Sequence, residues 1–200
     1  MSDELAVAGL VASRICHDLI SPVGAIGNGL ELLGPGGGHE DVIDLIADCA
    51  GAASATLQFL RLAFGARDPA EAIGRGELEA AAAAHFSRRK VTLDWSAAPG
   101  SLRFAEGRPL LLLALAAASA LPRGGVLTLA RADATPLALE WRASGASVSL
   151  SPRITALIDA RPAVGEVAPG EAHLLLLWML AESAGARLWR READAAFGVS

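Results

Sequence analysis

His17 and Asp18 set an imidazole beside a carboxylate in the segment Arg14-Ile15-Cys16-His17-Asp18-Leu19-Ile20-Ser21-Pro22-Val23. A neighbouring carboxylate can hold one ring nitrogen in a defined tautomer and raise the nucleophilicity of the other. Ile15 and Leu19 belong to an apolar helical stripe. At about 100° per residue, His17 is turned roughly 200° from Ile15 and faces outward. Arg14, Ser21, Gly24 and Asn28 fall on that same outer face. The chemistry on offer is an exposed nucleophilic imidazole, with Asp18 to orient or deprotonate it and Arg14 to neutralise an incoming anion. A solvated surface histidine is the plainer alternative. Two features weigh against it. Pro22 removes the hydrogen bond to the Asp18 carbonyl and should bend the helix. Gly24, Gly27 and Gly29 follow, each costing about 1 kcal/mol relative to Ala inside a helix. Such glycines suit either a flat surface that another backbone can approach or close packing against a neighbouring helix.

The elements that carry these residues read as a helical hairpin. Leu5, Ala8, Ala12, Ile15, Leu19, Val23, Ile26, Leu30 and Leu33 recur at steps of three or four, the spacing of one helix face. Asp3 can cap the start, and Gly34-Pro35-Gly36-Gly37-Gly38 ends the helix. A second stripe runs through Val42, Ile46, Cys49, Ala53, Thr56, Leu60 and Ala63. A lone pair of helices buries two stripes poorly, whereas two hairpins forming a four-helix bundle bury both. After a linker at 65–69 the pattern becomes mixed. Helices are expected over 76–86, 108–121, 152–160 and 171–184, with Gly185 closing the last. Strands are expected over 91–95, 125–131, 137–143, 187–191 and 195–199, and a short one over 148–150. Residues 133–136 read as a turn and 166–170 as a mobile loop. Trp141, Trp178 and Trp189 read as core. Helices against an antiparallel or mixed sheet make a two-layer α/β sandwich. The domain division expected is 1–67 and 68–200.

Composition narrows the classes. The 200 residues are 52% hydrophobic and 20% charged, with net charge −5, so the chain is not of disordered type. An acidic balance disfavours sequence-independent nucleic-acid binding, which needs dense positive charge. Lys90 is the only lysine, so no Gly-Lys-Ser/Thr phosphate loop exists, and Asn28 is the only asparagine. The acidic start is unlike a secretory leader. The longest apolar run, 110–118, falls short of the roughly 20 residues that span a bilayer. A cytoplasmic protein with reduced Cys16 and Cys49 is expected, without membrane or nucleic-acid partners.

The string His17-Asp18-Leu19-Ile20-Ser21-Pro22-Val23, with apolar heptads on both sides, resembles the phosphoacceptor box of histidine kinases. Continued through Gly24-Ala25-Ile26-Gly27-Asn28-Gly29-Leu30-Glu31-Leu32-Leu33, it resembles the ChpT-type histidine phosphotransferases of alphaproteobacteria. The resemblance implies an α+β fold. A hairpin like the dimerisation and phosphotransfer domain of kinases would form a homodimeric four-helix bundle. Behind it would stand an α/β sandwich resembling a degenerate, Bergerat-type ATP-binding domain. It further implies that His17 relays a phosphoryl group between receiver-domain aspartates. The donor would be a CckA-like hybrid histidine kinase and the acceptors CtrA-like and CpdR-like response regulators, in a two-component pathway of cell-cycle regulation. Asp18 and Arg14 would assist His17, and Ile20, Ser21, Gly24 and Asn28 would form the receiver-docking face. Mg²⁺ would come from the receiver.

Other sites are poorly supported by the residues. The helix expected over 108–121 carries no Asn to hold Mg²⁺ under a nucleotide. Asp-x-Gly-x-Gly is absent, and Gly145 stands alone in Ala143-Ser144-Gly145-Ala146, so no ATP site is expected. Ser144-Gly145-Ala146-Ser147 lacks the frame of a nucleophile elbow. His39 falls in a turn. His85 and His173 sit at helix ends without partners at metal-ligand spacing, and Arg88-Arg89-Lys90 reads as a solvated helix end. Two other functions remain open on the residues, a non-catalytic dimeric scaffold and an atypical histidine kinase with an unrecognised ATP site.

Overall fold

The computed structural model describes residues 3–33, 40–134 and 137–200. Two long helices come first, α1 (Asp3–Leu32) and α2 (Glu40–Phe64). α1 continues through Pro22 as one helix. The helices pack on each other, with Gly29 of α1 against Val42 and Ile46 of α2. The Gly-rich connection, with His39, and the side chain of Asp3 lie outside the described residues.

The apolar stripe of α1 is largely left open within one chain. Leu5, Val23 and Leu30 are 61%, 56% and 57% exposed. α1 instead turns Leu10, Val11 and Ile15 towards the main core. α2 contributes more, burying Cys49, Phe59, Leu60, Leu62, Ala63 and Phe64. Both helices have the length and apolar composition of a membrane span, which a search for unbroken apolar runs passes over. α1 nevertheless carries an Arg14–Asp18 ion pair, and the last turns of α2 sit in the protein core.

The rest of the chain builds a helical layer on a sheet. β1 (Ala72–Gly74) leads into α3 (Arg75–Phe86), a 3-10 turn over Ser87–Arg89, and β2 (Val91–Asp94). β3 (Ser101–Arg103) precedes α4 (Phe104–Ala118), and then come β4 (Gly125–Ala134) and β5 (Leu137–Ser144). α5 (Pro152–Asp159), two 3-10 turns over Val164–Glu166 and Pro169–Glu171, α6 (Ala172–Ser183), β6 (Leu188–Arg191) and β7 (Ala196–Val199) complete it. The five-stranded sheet has the order β2-β4-β5-β7-β6, with β2 parallel to β4 and every other pair antiparallel. β1 and β3 pair separately.

α4 is the centre of the core. Every residue from Pro109 to Ala118 is buried, because α4 is covered by α2, α6 and the sheet at once. It begins four residues before the expected start, where the Glu106 carboxylate accepts the Arg103 backbone N–H at 2.9 Å. Trp141 lies beneath it, donating its indole N–H to the Leu110 carbonyl at 3.1 Å and meeting Trp95 edge-to-face. Trp178 donates to the Leu157 carbonyl at 2.9 Å. Buried indoles are thus satisfied without water. Trp189 is only half-buried, under the Arg191 guanidinium, so it is a rim residue rather than core.

Three local expectations differ from the structure. Residues 148–150 form no strand, because the backbone there turns away from β5 and Ser149 donates to the Ala120 carbonyl. The three-residue strands β1 and β3 are too short to leave a period in the sequence. Residues 166–170 are a built segment: Glu166 and Glu171 accept the Ala163 and Ala168 backbone N–H groups at 3.1 and 3.0 Å. Arg153 ties the segment down by donating to the Glu171 carboxylate at 2.9 and 2.8 Å and to the Glu166 carbonyl.

Candidate functional site

α1 brings Arg14, His17 and Asp18 together because residues four apart stand one turn above each other. The His17 side chain is 70% exposed, that of Asp18 16% and that of Arg14 6%. His17 Nδ1 lies 3.1 Å from Asp18 Oδ1. Arg14 Nε donates to the other carboxylate oxygen, Asp18 Oδ2, at 2.7 Å. A carboxylate only accepts, so the Nδ1 nitrogen is the donor, and in the neutral ring this leaves the lone pair on Nε2.

Arg14 is not on the open face that a helical wheel of the hairpin assigns to it. The 163–171 segment covers it, and its Nη1 donates to the Gly170 carbonyl, 156 positions along the chain. Both ends of the guanidinium are therefore engaged inside the protein. Ile20, Ser21, Gly24 and Asn28 do share an open face with His17. A Cβ at Gly24 or Gly27 would meet nothing within 4 Å, whereas one at Gly29 would come within 2.6 Å of Ile46. Gly24 thus leaves a bare surface, and Gly29 serves helix packing.

Two buried imidazoles stand behind this trio. His85 of α3 stacks on Phe59 with ring centres 4.2 Å apart. Its pKa is lowered to about 4, by burial first and then by the Arg89 charge, with Asp18 opposing. His173 of α6 is lowered to about 3, by burial first and then by the Arg14 charge. Neither ring makes a hydrogen bond of good geometry among the described residues, although His173 lies against the Gly170 carbonyl. Both stay neutral at neutral pH and cannot share the charge of Asp18. His85, His173, Gly170 and Glu171 are the neighbours that sequence reading missed. They reach the site only through tertiary contact, and no local motif announces them.

A family profile described as the histidine phosphotransferase C-terminal domain matches residues 75–196, more than half of the chain. The chain belongs to the histidine phosphotransferase family. This family match starts at α3, so His17 lies upstream of it. A relative from Brucella abortus (strain 2308), protein phosphotransferase ChpT, is 45% identical over 126 residues. That alignment takes in 62% of this chain and spans 60% of the relative's length. The solved structure of a bacterial phosphotransferase superposes with a TM-score of 0.82 at 32% identity, covering 100% of this chain and 98% of the other. The likeness to a solved phosphotransferase therefore includes α1 and α2 as well as the α/β layer of this chain.

Proposed function

We propose that the chain is a phosphorelay intermediate in which His17 accepts a phosphoryl group from the aspartyl phosphate of one receiver domain and passes it to the aspartate of another. The observation that carries this reading is the exposed His17 ring with its Nδ1 tied to Asp18 and its Nε2 free. Nε2 attacks phosphorus, the N–P bond forms, and the bond from phosphorus to the aspartyl oxygen breaks, returning a carboxylate to the donor. The proton stays on Nδ1, where Asp18 stabilises the positive charge that the ring acquires. Onward transfer reverses these steps on a second receiver. No proton need be exchanged with water in either direction.

The face carrying Ile20, Ser21, Gly24 and Asn28 suits a receiver helix laid alongside His17. Mg²⁺ belongs to the receiver in this reading, and the present chain supplies nucleophile and docking surface without ATP. The family relationship favours a hybrid histidine kinase of CckA type as donor and regulators of CtrA and CpdR type as acceptors, in the cytoplasm. The open apolar faces of α1 and α2 favour a homodimer built on a four-helix bundle. At about 100° per residue Leu5, Val23 and Leu30 lie within roughly 20° of one another and about 120° from His17, so such a dimer leaves the ring accessible.

The test uses the purified chain with a phosphorylated receiver and, separately, with labelled ATP. Label acquired from the receiver alone, and lost in His17→Gln, is the expected outcome. Label from ATP would make the chain a kinase, and no label from either would make it a scaffold.

A further inference from the structure

We infer that Arg14 is a positioning residue through which the 163–171 segment holds the His17 ring in its Nδ1–H tautomer. The inference rests on the reading of His17 as phosphoacceptor, and it extends the site from α1 into the α/β layer. The contacts run without a break. Arg153 pairs with Glu171, Glu171 caps the turn at Ala168, and that turn presents the Gly170 carbonyl to Arg14. Arg14 then holds Asp18 Oδ2, and Asp18 Oδ1 holds His17 Nδ1.

Each link is needed for a physical reason. Asp18 sits beside an open ring and would be free to swing to water if only His17 held it. The Arg14 guanidinium, at 6% exposure, fixes one oxygen and thereby aims the other. A cation so covered must itself be paired and hydrogen-bonded, or its burial becomes costly. Asp18 provides the charge and Gly170 the second acceptor, and the planar fork of an arginine serves both at once. Neither His85 nor His173 makes a hydrogen bond to Asp18. The exposed ring therefore depends on a carbonyl from the far end of the chain.

The experiment reads the tautomer directly. Long-range nitrogen–proton NMR on the full-length, nitrogen-15-labelled chain at about pH 8, above the ordinary histidine range, distinguishes Nδ1–H from Nε2–H. His17→Gln assigns the resonance. Wild type should show Nδ1–H at His17. Arg14→Met removes both donors, and Glu171→Ala loosens the turn from the other side without touching α1. Both should move His17 towards Nε2–H and slow uptake of phosphate from a receiver by about tenfold or more, the scale on which losing the partner that orients a metal-bound histidine lowers activity. Glu171→Ala keeps the test open if Arg14→Met fails to fold. Retention of Nδ1–H in both variants overturns the inference. So does its loss in Arg14→Met with retention in a folded Glu171→Ala, which would confine the effect to α1. If wild type holds Nδ1–H and both variants lose it, yet wild type takes no phosphate at His17, the relay function falls while the positioning stands.

Discussion

Gly29 of α1 lies so close to Ile46 of α2 that a Cβ there would sit 2.6 Å from Ile46 Cγ1. Only a glycine lets the two backbones approach to this depth. Gly24, five residues earlier, has no neighbour within the same reach. The two glycines should therefore respond oppositely to substitution. Gly29→Leu overpacks the helix pair and is expected to cost about 1–3 kcal/mol. Gly24→Ala is expected to stabilise the helix by up to about 1 kcal/mol, because it only gains propensity. Denaturant unfolding of the two variants against wild type measures both signs, and equal effects would contradict the packing assigned to Gly29.

Acidification should unfold the protein early through His85 and His173. Their folded-state values, about 4 and about 3, lie below the ordinary value of 6.5. The unfolded chain then binds protons first. Stability is full above pH 6.5 and falls as pH drops from there towards 4 and 3. Arg89, Arg14 and Asp18 face His85, and Arg14, Arg89 and Glu171 face His173, so the surrounding charge is mainly positive. Carboxylates with lowered values, such as Glu171, add to the loss only below their own ordinary value of 4.5. Between 6.5 and 4.5 the slope belongs to histidines. His173→Leu should flatten it, as measured by chemical denaturation across that window.

The apolar period of α1 and α2 and the His17-Asp18 pair were both legible because each is a local pattern. The strands β4, β5 and β7 were legible for the same reason. The position of Arg14 was not. A wheel drawn for α1 knows only the hairpin, whereas the side chain is covered by Gly170, 156 residues away. The stripe through Leu5, Val23 and Leu30 misleads in the opposite sense, being apolar yet open in one chain. Burial read from periodicity reports that a face seeks cover and does not say which chain provides it.

Nucleotide binding is expected to be absent. Gly145, the one glycine where a phosphate loop would begin, is a packing residue. A Cβ there would come within 2.8 Å of the Gly124 carbonyl and 3.3 Å of the Leu121 side chain. The α4 helix offers only apolar side chains from Leu110 to Ala118. Calorimetric titration with Mg-ATP should give no heat of specific binding. A micromolar dissociation constant would support kinase chemistry instead.

Assembly can be tested on the open stripe. Leu5, Val23 and Leu30 of α1 and Ile43 and Leu57 of α2 are each about half exposed or more. Pairing two hairpins covers them around a two-fold axis. Light scattering at micromolar concentration should report a dimer. Leu30→Glu places a charge in that seam, costs several kcal/mol, and should yield monomer or aggregate. A wild-type chain that scatters as a monomer would refute the pairing.

Docking is expected to depend on the bare patch beside His17. A receiver must bring its phosphorylated aspartate to bonding distance of Nε2, so part of its surface has to rest on α1 next to the ring. Ser21, Gly24 and Asn28 follow His17 at steps of four, three and four, which keeps them on one face over three turns. All three are exposed, with Ile20 at 73% providing a large apolar contact beside them. Gly24 has open space where a side chain would project, so Gly24→Leu should fold normally. A leucine there nevertheless holds a docked helix off by several ångströms, and a misplacement of even 1 Å can cost about 100-fold in rate. Transfer from every receiver should therefore collapse in Gly24→Leu while the oligomeric state is unchanged. Ile20→Ala, which removes contact area without adding bulk, should weaken receiver affinity and spare the maximal rate. Rates for Gly24→Leu within about twofold of wild type, with two different receivers, would rule out docking along this face.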